Sequence, residues 1–125
     1  MEYLNELNGE QRKAVELLDG PVMIIAGAGS GKTRVLTYRV AHLINSGVDP
    51  FNILALTFTN KAAKEMRSRI ETMVGPEARN IWMGTFHSVF AKILRFEGER
   101  IGYPSNFTIY DSADSKNLIK AILKE

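Results

Sequence analysis

At 125 residues the chain is long enough for one domain that buries about two-thirds of its unfolded surface, so it needs no covalent or metal staple. It has no cysteine, which excludes disulfides and thiolate metal sites, and its two histidines, His42 and His87, are too far apart to suggest a metal centre. With 16 basic and 14 acidic residues the net charge is only +2, too weak a field to hold a polyanion, so any nucleic-acid surface must be local.

The opening residues show no basic segment followed by an apolar one, and no apolar run reaches membrane-spanning length. A cytoplasmic protein with no membrane contact is the expectation. From Leu7, the run Leu7-Asn8-Gly9-Glu10-Gln11 precedes an amphipathic segment carrying Ala14, Val15 and Leu18. Asn8 and Gln11 have capping-box spacing, which suffices locally, although a glutamine amide also offers the donor and acceptor that read an adenine edge. Val22 to Ala26 is short and wholly apolar, as a buried strand would be. Val35, Leu36, Val40, Leu43 and Ile44 then recur at helical spacing until Ser46-Gly47 and Asp49-Pro50.

Ile53 to Phe58 reads as a second strand, and Ala62, Ala63, Met66, Ile70 and Met73 mark a helix ending at Gly75-Pro76. On that helix Lys61, Lys64, Arg67 and Arg69 are diluted by Glu65 and Glu71, the pattern of a solvated face. Ile81 to Phe86 is a third strand, Val89, Phe90, Ile93 and Leu94 a third helix, and Phe107 to Tyr110 a fourth strand. Asp111-Ser112 caps a last helix carrying Leu118, Ile119, Ile122 and Leu123. Alternating strands and helices predict an α/β fold, a mainly parallel sheet with helices on both faces. Ligands of such sheets bind at the carboxyl ends of strands, so the loops Gly27 to Lys32, Thr57 to Lys61 and Gly84 to Ser88 are expected along one edge.

The first of these loops carries the most specific chemistry. Ala26-Gly27-Ala28-Gly29-Ser30-Gly31-Lys32-Thr33 lies between strand and helix, where glycines at positions 27, 29 and 31 are expected to take positive φ and let backbone amides close on phosphates. The helix start adds amide donors and the positive end of its dipole. Lys32 would reach the β- and γ-phosphates of a nucleoside triphosphate such as ATP, and the Thr33 hydroxyl would take one position on Mg²⁺. Ala26 stands where the consensus opens with glycine.

The other two loops are less specific. In Thr57-Phe58-Thr59-Asn60-Lys61, Phe58 would stack on a base while Thr59 and Asn60 hold phosphate. The local pattern alone favours a helix cap at Thr59 or Asn60 and a core Phe58. Gly84-Thr85-Phe86-His87-Ser88 places hydroxyls and an aromatic at the same edge, but no acid orients His87 for a nucleophilic triad.

Together the blocks LNGEQ, AGAGSGKTR, LTFTNKAAKEM and GTFHS resemble the superfamily 1 DNA helicases of the UvrD/PcrA/Rep group along nearly the whole chain. The resemblance implies a RecA-like P-loop NTPase fold and an ATP-dependent, 3′ to 5′ DNA helicase acting on single-stranded and partly duplex DNA, with ATP and Mg²⁺ as cofactors. It implies a nucleotide site of Gln11, Ala26, Gly27, Ala28, Gly29, Ser30, Gly31, Lys32, Thr33 and Arg34, with Lys32 and Thr33 catalytic. It implies DNA contacts at Phe58, Thr59 and Asn60 and at Thr85, Phe86 and His87. Residues 1–111 would form the first part of motor domain 1A and residues 112–125 the start of its inserted helical subdomain 1B. The family's Walker B motif, γ-phosphate-sensing glutamine and arginine fingers all lie downstream of Glu125, so weak nucleotide binding and negligible turnover are expected of these residues alone. A P-loop phosphotransferase and a non-catalytic nucleotide-binding module are the alternatives.

Overall fold

Side chains next to each helix decide where it starts. Asn8 accepts the Gln11 amide at 2.9 Å and the Gln11 side chain accepts the Asn8 amide at 3.1 Å, the expected capping box, which opens helix α1 (Gly9–Glu16). Helix α2 (Lys32–Asn45) instead starts from Gly31 in the left-handed conformation, with no side-chain cap. Strand β1 (Leu54–Thr57) leads into helix α3 (Asn60–Val74), where the Thr59 hydroxyl accepts the Ala62 amide at 3.1 Å. Strand β2 (Trp82–Thr85) runs into helix α4 (Phe86–Glu97), and helix α5 (Ser112–Lys124) opens on a second reciprocal box between Asp111 and Asp114. The computed structural model describes residues 2–27, 29 and 31–125. Ala28 and Ser30 of the expected phosphate loop lie outside the described residues.

Strands β1 and β2 are parallel, with Ala55 opposite Met83 and Thr57 opposite Thr85. One face of this ribbon is buried. Ala55 and Met83 join Ile53 and Ile81, Val40 and Ile44 of α2, and Met66 and Ile70 of α3 in a single apolar core. Arg67 of α3 reaches across to the backbone, donating to the Met83 carbonyl at 3.0 Å and the Arg79 carbonyl at 3.3 Å. On the opposite face Leu54 is exposed and Leu56 half-buried. Among the described residues, then, α2 and α3 share one face rather than lining both.

The structure is thus a mix of helices and a small parallel sheet, and two of the four expected strands form. Val22 to Ala26 pairs with nothing in the sheet, and Met23 and Ile25 are 85% and 91% exposed. A strand exists only beside a hydrogen-bonded neighbour, and among the described residues the ribbon consists of β1 and β2. Phe107 to Tyr110 is also irregular, for a visible reason. The Arg95 guanidinium lies 4.4 Å from the centre of the Phe107 ring and donates to the carbonyls of Ser105 and Phe107 at 3.0 and 3.3 Å. These bonds hold the segment to a helix instead of a strand.

The chain divides into two compact units, Met1–Val89 and Phe90–Glu125. Within the first, Leu4, Val15 and Val35 form a second, smaller core flanked by Tyr3, Leu7, Ala14 and Tyr38. Arg39 fastens α2 to the end of α1 by donating to the carbonyls of Ala14 and Leu17. Within the second unit Gly98 is buried, and a Cβ there would meet the Tyr103 carbonyl at 3.3 Å. No described helix is long and apolar enough to cross a membrane.

Candidate nucleotide and nucleic-acid sites

Gly29 and Gly31 adopt φ of 77° and 82°, the left-handed region that favours glycine, whereas Gly27 does not. The expectation of a positive φ therefore holds at two positions and fails at Gly27. Gly31 is constrained from outside as well. A Cβ added there would lie 2.9 Å from Gln11 Nε2, so the Gln11 amide rests directly against the end of the loop. Because α2 has no side-chain cap, the amides of its first turn remain for an anion.

Beside this helix start is a cleft of about 470 Å³, walled by α1, by residues Val22 to Ala26 and by Lys32. Its size suits a small-molecule ligand. It gathers Gln11, Ala26 and Lys32, three of the residues assigned to the nucleotide, and its other lining includes Lys13, Ala14 and Leu17. The exposed apolar run that forms no strand thus serves as one wall. Thr33 is exposed in the first turn of α2, and its carbonyl accepts the Thr37 hydroxyl at 2.7 Å.

Arg34 is turned elsewhere. Its guanidinium donates to Glu6 Oε2 at 3.2 Å and lies 5.3 Å from the centre of the Tyr38 ring, one turn further along α2. The Tyr38 hydroxyl donates to the same Glu6 oxygen. That bond, followed by burial, pushes the Tyr38 phenol above its ordinary value, with Arg34 opposing. Glu6, Arg34 and Tyr38 line a separate hollow of about 400 Å³ with Arg69, Thr72 and Met73.

The carboxyl ends of β1 and β2 carry the two aromatic loops. Thr57 donates to the carbonyls of Thr59 at 3.0 Å and Gly84 at 3.4 Å, tying the loops together. Phe58 is 92% exposed, and its ring lies 5.7 Å from that of Phe86 at a 43° tilt. The expectation that Phe58 is core fails, because α3 starts two residues after it and leaves its side chain outside. The expectation that Thr59 caps α3 holds. Thr85 plays the same part for α4, its hydroxyl accepting the Ser88 amide at 3.2 Å and donating to Ser88 Oγ at 2.9 Å. Asn60 and His87 are exposed in the first turns of α3 and α4. Gly84 lets this second turn close, since a Cβ would meet Ser88 Oγ at 2.7 Å and Val89 at 3.2 Å.

Two groups therefore assemble: Gln11, Ala26, Gly31 and Lys32 at one place, Phe58 and Phe86 with their capping threonines at another. Two of the three loops expected along one edge meet there. Arg34 lines its own hollow with Arg69, Thr72 and Met73 of α3. Sequence reasoning missed Glu6 and Tyr38 as partners of Arg34, and the Phe58–Phe86 contact. The contact had a signal: the dipeptide Thr-Phe recurs at 57–58 and 85–86, each time where a strand gives way to a helix. For Glu6 no local signal exists, since it lies 28 residues from Arg34.

The sequence matches the model of the UvrD/REP helicase N-terminal domain over residues 7–125. An ATP-dependent DNA helicase PcrA of Staphylococcus epidermidis is 57% identical over 122 residues, which is 97% of this chain and 17% of that protein. An ATP-dependent DNA helicase PcrA of Staphylococcus aureus is 55% identical over 122 residues, with the same two shares. The chain thus spans 17% of the length of these relatives.

Proposed function

Since this chain belongs to the family of UvrD/REP helicase N-terminal domains, we propose that it is the ATP-binding end of an ATP-dependent DNA helicase motor built on a RecA-like fold. The observation that carries this reading is the cleft of about 470 Å³ lined by Gln11, Ala26 and Lys32 beside the uncapped start of α2. The residues fit a nucleotide. Gly31 takes the left-handed φ of 82° that favours glycine, the first-turn amides carry the positive end of the helix dipole, and an ammonium group lines the same space.

In this reading Lys32 neutralises the β- and γ-phosphates, Gln11 presents its amide to the adenine edge, and the Thr33 hydroxyl ligates Mg²⁺. The magnesium ion, when bound, draws charge from the phosphoryl group being transferred. Phe58 stacks on a base of single-stranded DNA with Phe86 behind it, while Thr59, Asn60, Thr85 and His87 hold the adjoining backbone. Residues 1–111 belong to motor domain 1A and 112–125 begin its helical insert. Alternate closing and opening of two motor domains around the nucleotide drives movement along single-stranded DNA, with the 3′ to 5′ direction that the family resemblance implies. These residues alone turn over little ATP.

In the intact protein Lys32→Ala should abolish ATP hydrolysis and DNA unwinding while leaving single-stranded DNA binding in place. Unwinding at the unsubstituted rate would overturn the assignment. Phe58→Ala should weaken binding of a single-stranded oligonucleotide at fixed salt, an effect that neither a phosphotransferase nor a nucleotide-binding module would show.

A further inference from the structure

Arg34 occupies the first turn of α2, where the positive end of the helix dipole disfavours a cation. It therefore needs an anion nearby. Two anions compete for that position once a nucleotide binds at Lys32, as proposed above: the nucleotide's phosphates and the carboxylate of Glu6. In the structure Glu6 has the guanidinium. Its Oε2 accepts from Arg34 at 3.2 Å and from the Tyr38 hydroxyl. The Tyr38 ring, leaning back from the next turn, meets the Arg34 guanidinium at 5.3 Å. With Glu6 it places that guanidinium in the hollow lined by Arg69, Thr72 and Met73, not in the cleft that Lys32 lines.

We propose that Glu6 is a competing counter-ion that parks Arg34 off the nucleotide and must release it for the triphosphate to be fully engaged. Glu6 is a positioning residue, acting only through Arg34. Tyr38 holds the carboxylate in place and supports the parked guanidinium with its ring. The parking is shallow. The side chains of Arg34 and Glu6 are 41% and 59% exposed, and ion pairs so open to water are easily exchanged. Glu6 thus sets how tightly the site takes a polyanion without contacting it.

The test is a double-substitution cycle in the intact protein, read by titrating a fluorescent ATP analogue at low and high ionic strength. Glu6→Gln keeps an acceptor for Tyr38 but removes the charge. It should tighten binding by about two- to fivefold at low ionic strength. The gain should shrink at high ionic strength and vanish when Arg34→Ala is also present. Weaker or unchanged binding by Glu6→Gln would overturn the proposal, as would a gain that persists without Arg34. The same titration of Lys32→Ala separates the two readings: undiminished binding there counts against the nucleotide site itself, whereas lost binding beside a silent Glu6→Gln overturns only the role of Glu6.

Discussion

The two halves of the first unit are built differently. Around the aromatic loops, backbone pairing between β1 and β2 and a continuous core from Val40 to Met83 fix the structure. Around the phosphate loop the core is only Leu4, Val15 and Val35 with their flanking residues. Its geometry depends on polar ties: Arg39 on the carbonyls of Ala14 and Leu17, and Glu6 on Arg34 and Tyr38. Apolar cores are hard to rearrange in part, whereas exposed polar ties exchange partners at little cost. The two aromatic loops are therefore presented on a stiff platform, and the part around Lys32, proposed to take a nucleotide, is the one whose contacts can be remade.

Substitutions in the two cores should expose this difference. Ile70, fully buried between α3 and the ribbon, should cost about 2–5 kcal/mol when replaced by alanine, measured by urea unfolding. Val15→Ala in the smaller core should cost about 2 kcal/mol, the loss of two methylene equivalents. Val15→Ala should also raise amide exchange around the phosphate loop while leaving β1 and β2 protected. Equal loosening of both halves would erase the distinction.

Phe58→Ala tests the surface of the stiff half. It should weaken single-stranded DNA binding by about 1–3 kcal/mol and leave the unfolding midpoint unchanged, since its side chain is exposed. A fall in stability of similar size would mean that the ring holds the fold instead.

The smallest effect is in the polar half. The Glu6 bond favours the protonated Tyr38, whose folded value lies above the unfolded 10.0. The resulting stability is complete below that pH and lost as pH rises through the folded value. Stability of the parent chain should accordingly fall more between pH 9 and pH 11 than that of Tyr38→Phe, about the ordinary tyrosine range. Parallel losses in the two proteins would remove Glu6 from the account.

The legible parts of the sequence were those decided by nearest neighbours. Asn8 with Gln11, Thr59, and Asp111 all cap where their spacing placed them. Of the expected apolar faces, Val40, Leu43 and Ile44 of α2 and Met66 and Ile70 of α3 meet the larger core and Val35 the smaller, whereas Leu36 is exposed. Val22 to Ala26 misled because its composition records how apolar the segment is, while strand formation depends on a neighbour that composition does not supply. Phe107 to Tyr110 misled because Arg95, twelve residues earlier, takes the Phe107 carbonyl. In the candidate site the left-handed backbone of Gly29 and Gly31 could be read directly, while Gly27 departs from it. Where Arg34 points depends on Glu6 across the fold, and no local pattern records it.

Arg67 has a directional consequence for the sheet. Since the Trp82 amide donates inward to Ile53, the alternation of a parallel ladder turns the Met83 carbonyl outward, and Arg67 occupies it at 3.0 Å. An incoming strand at that margin would first have to displace a guanidinium. Among the described residues no such plug sits on the other margin, along Leu54 and Leu56, so any widening of the ribbon is biased to grow from the side of β1.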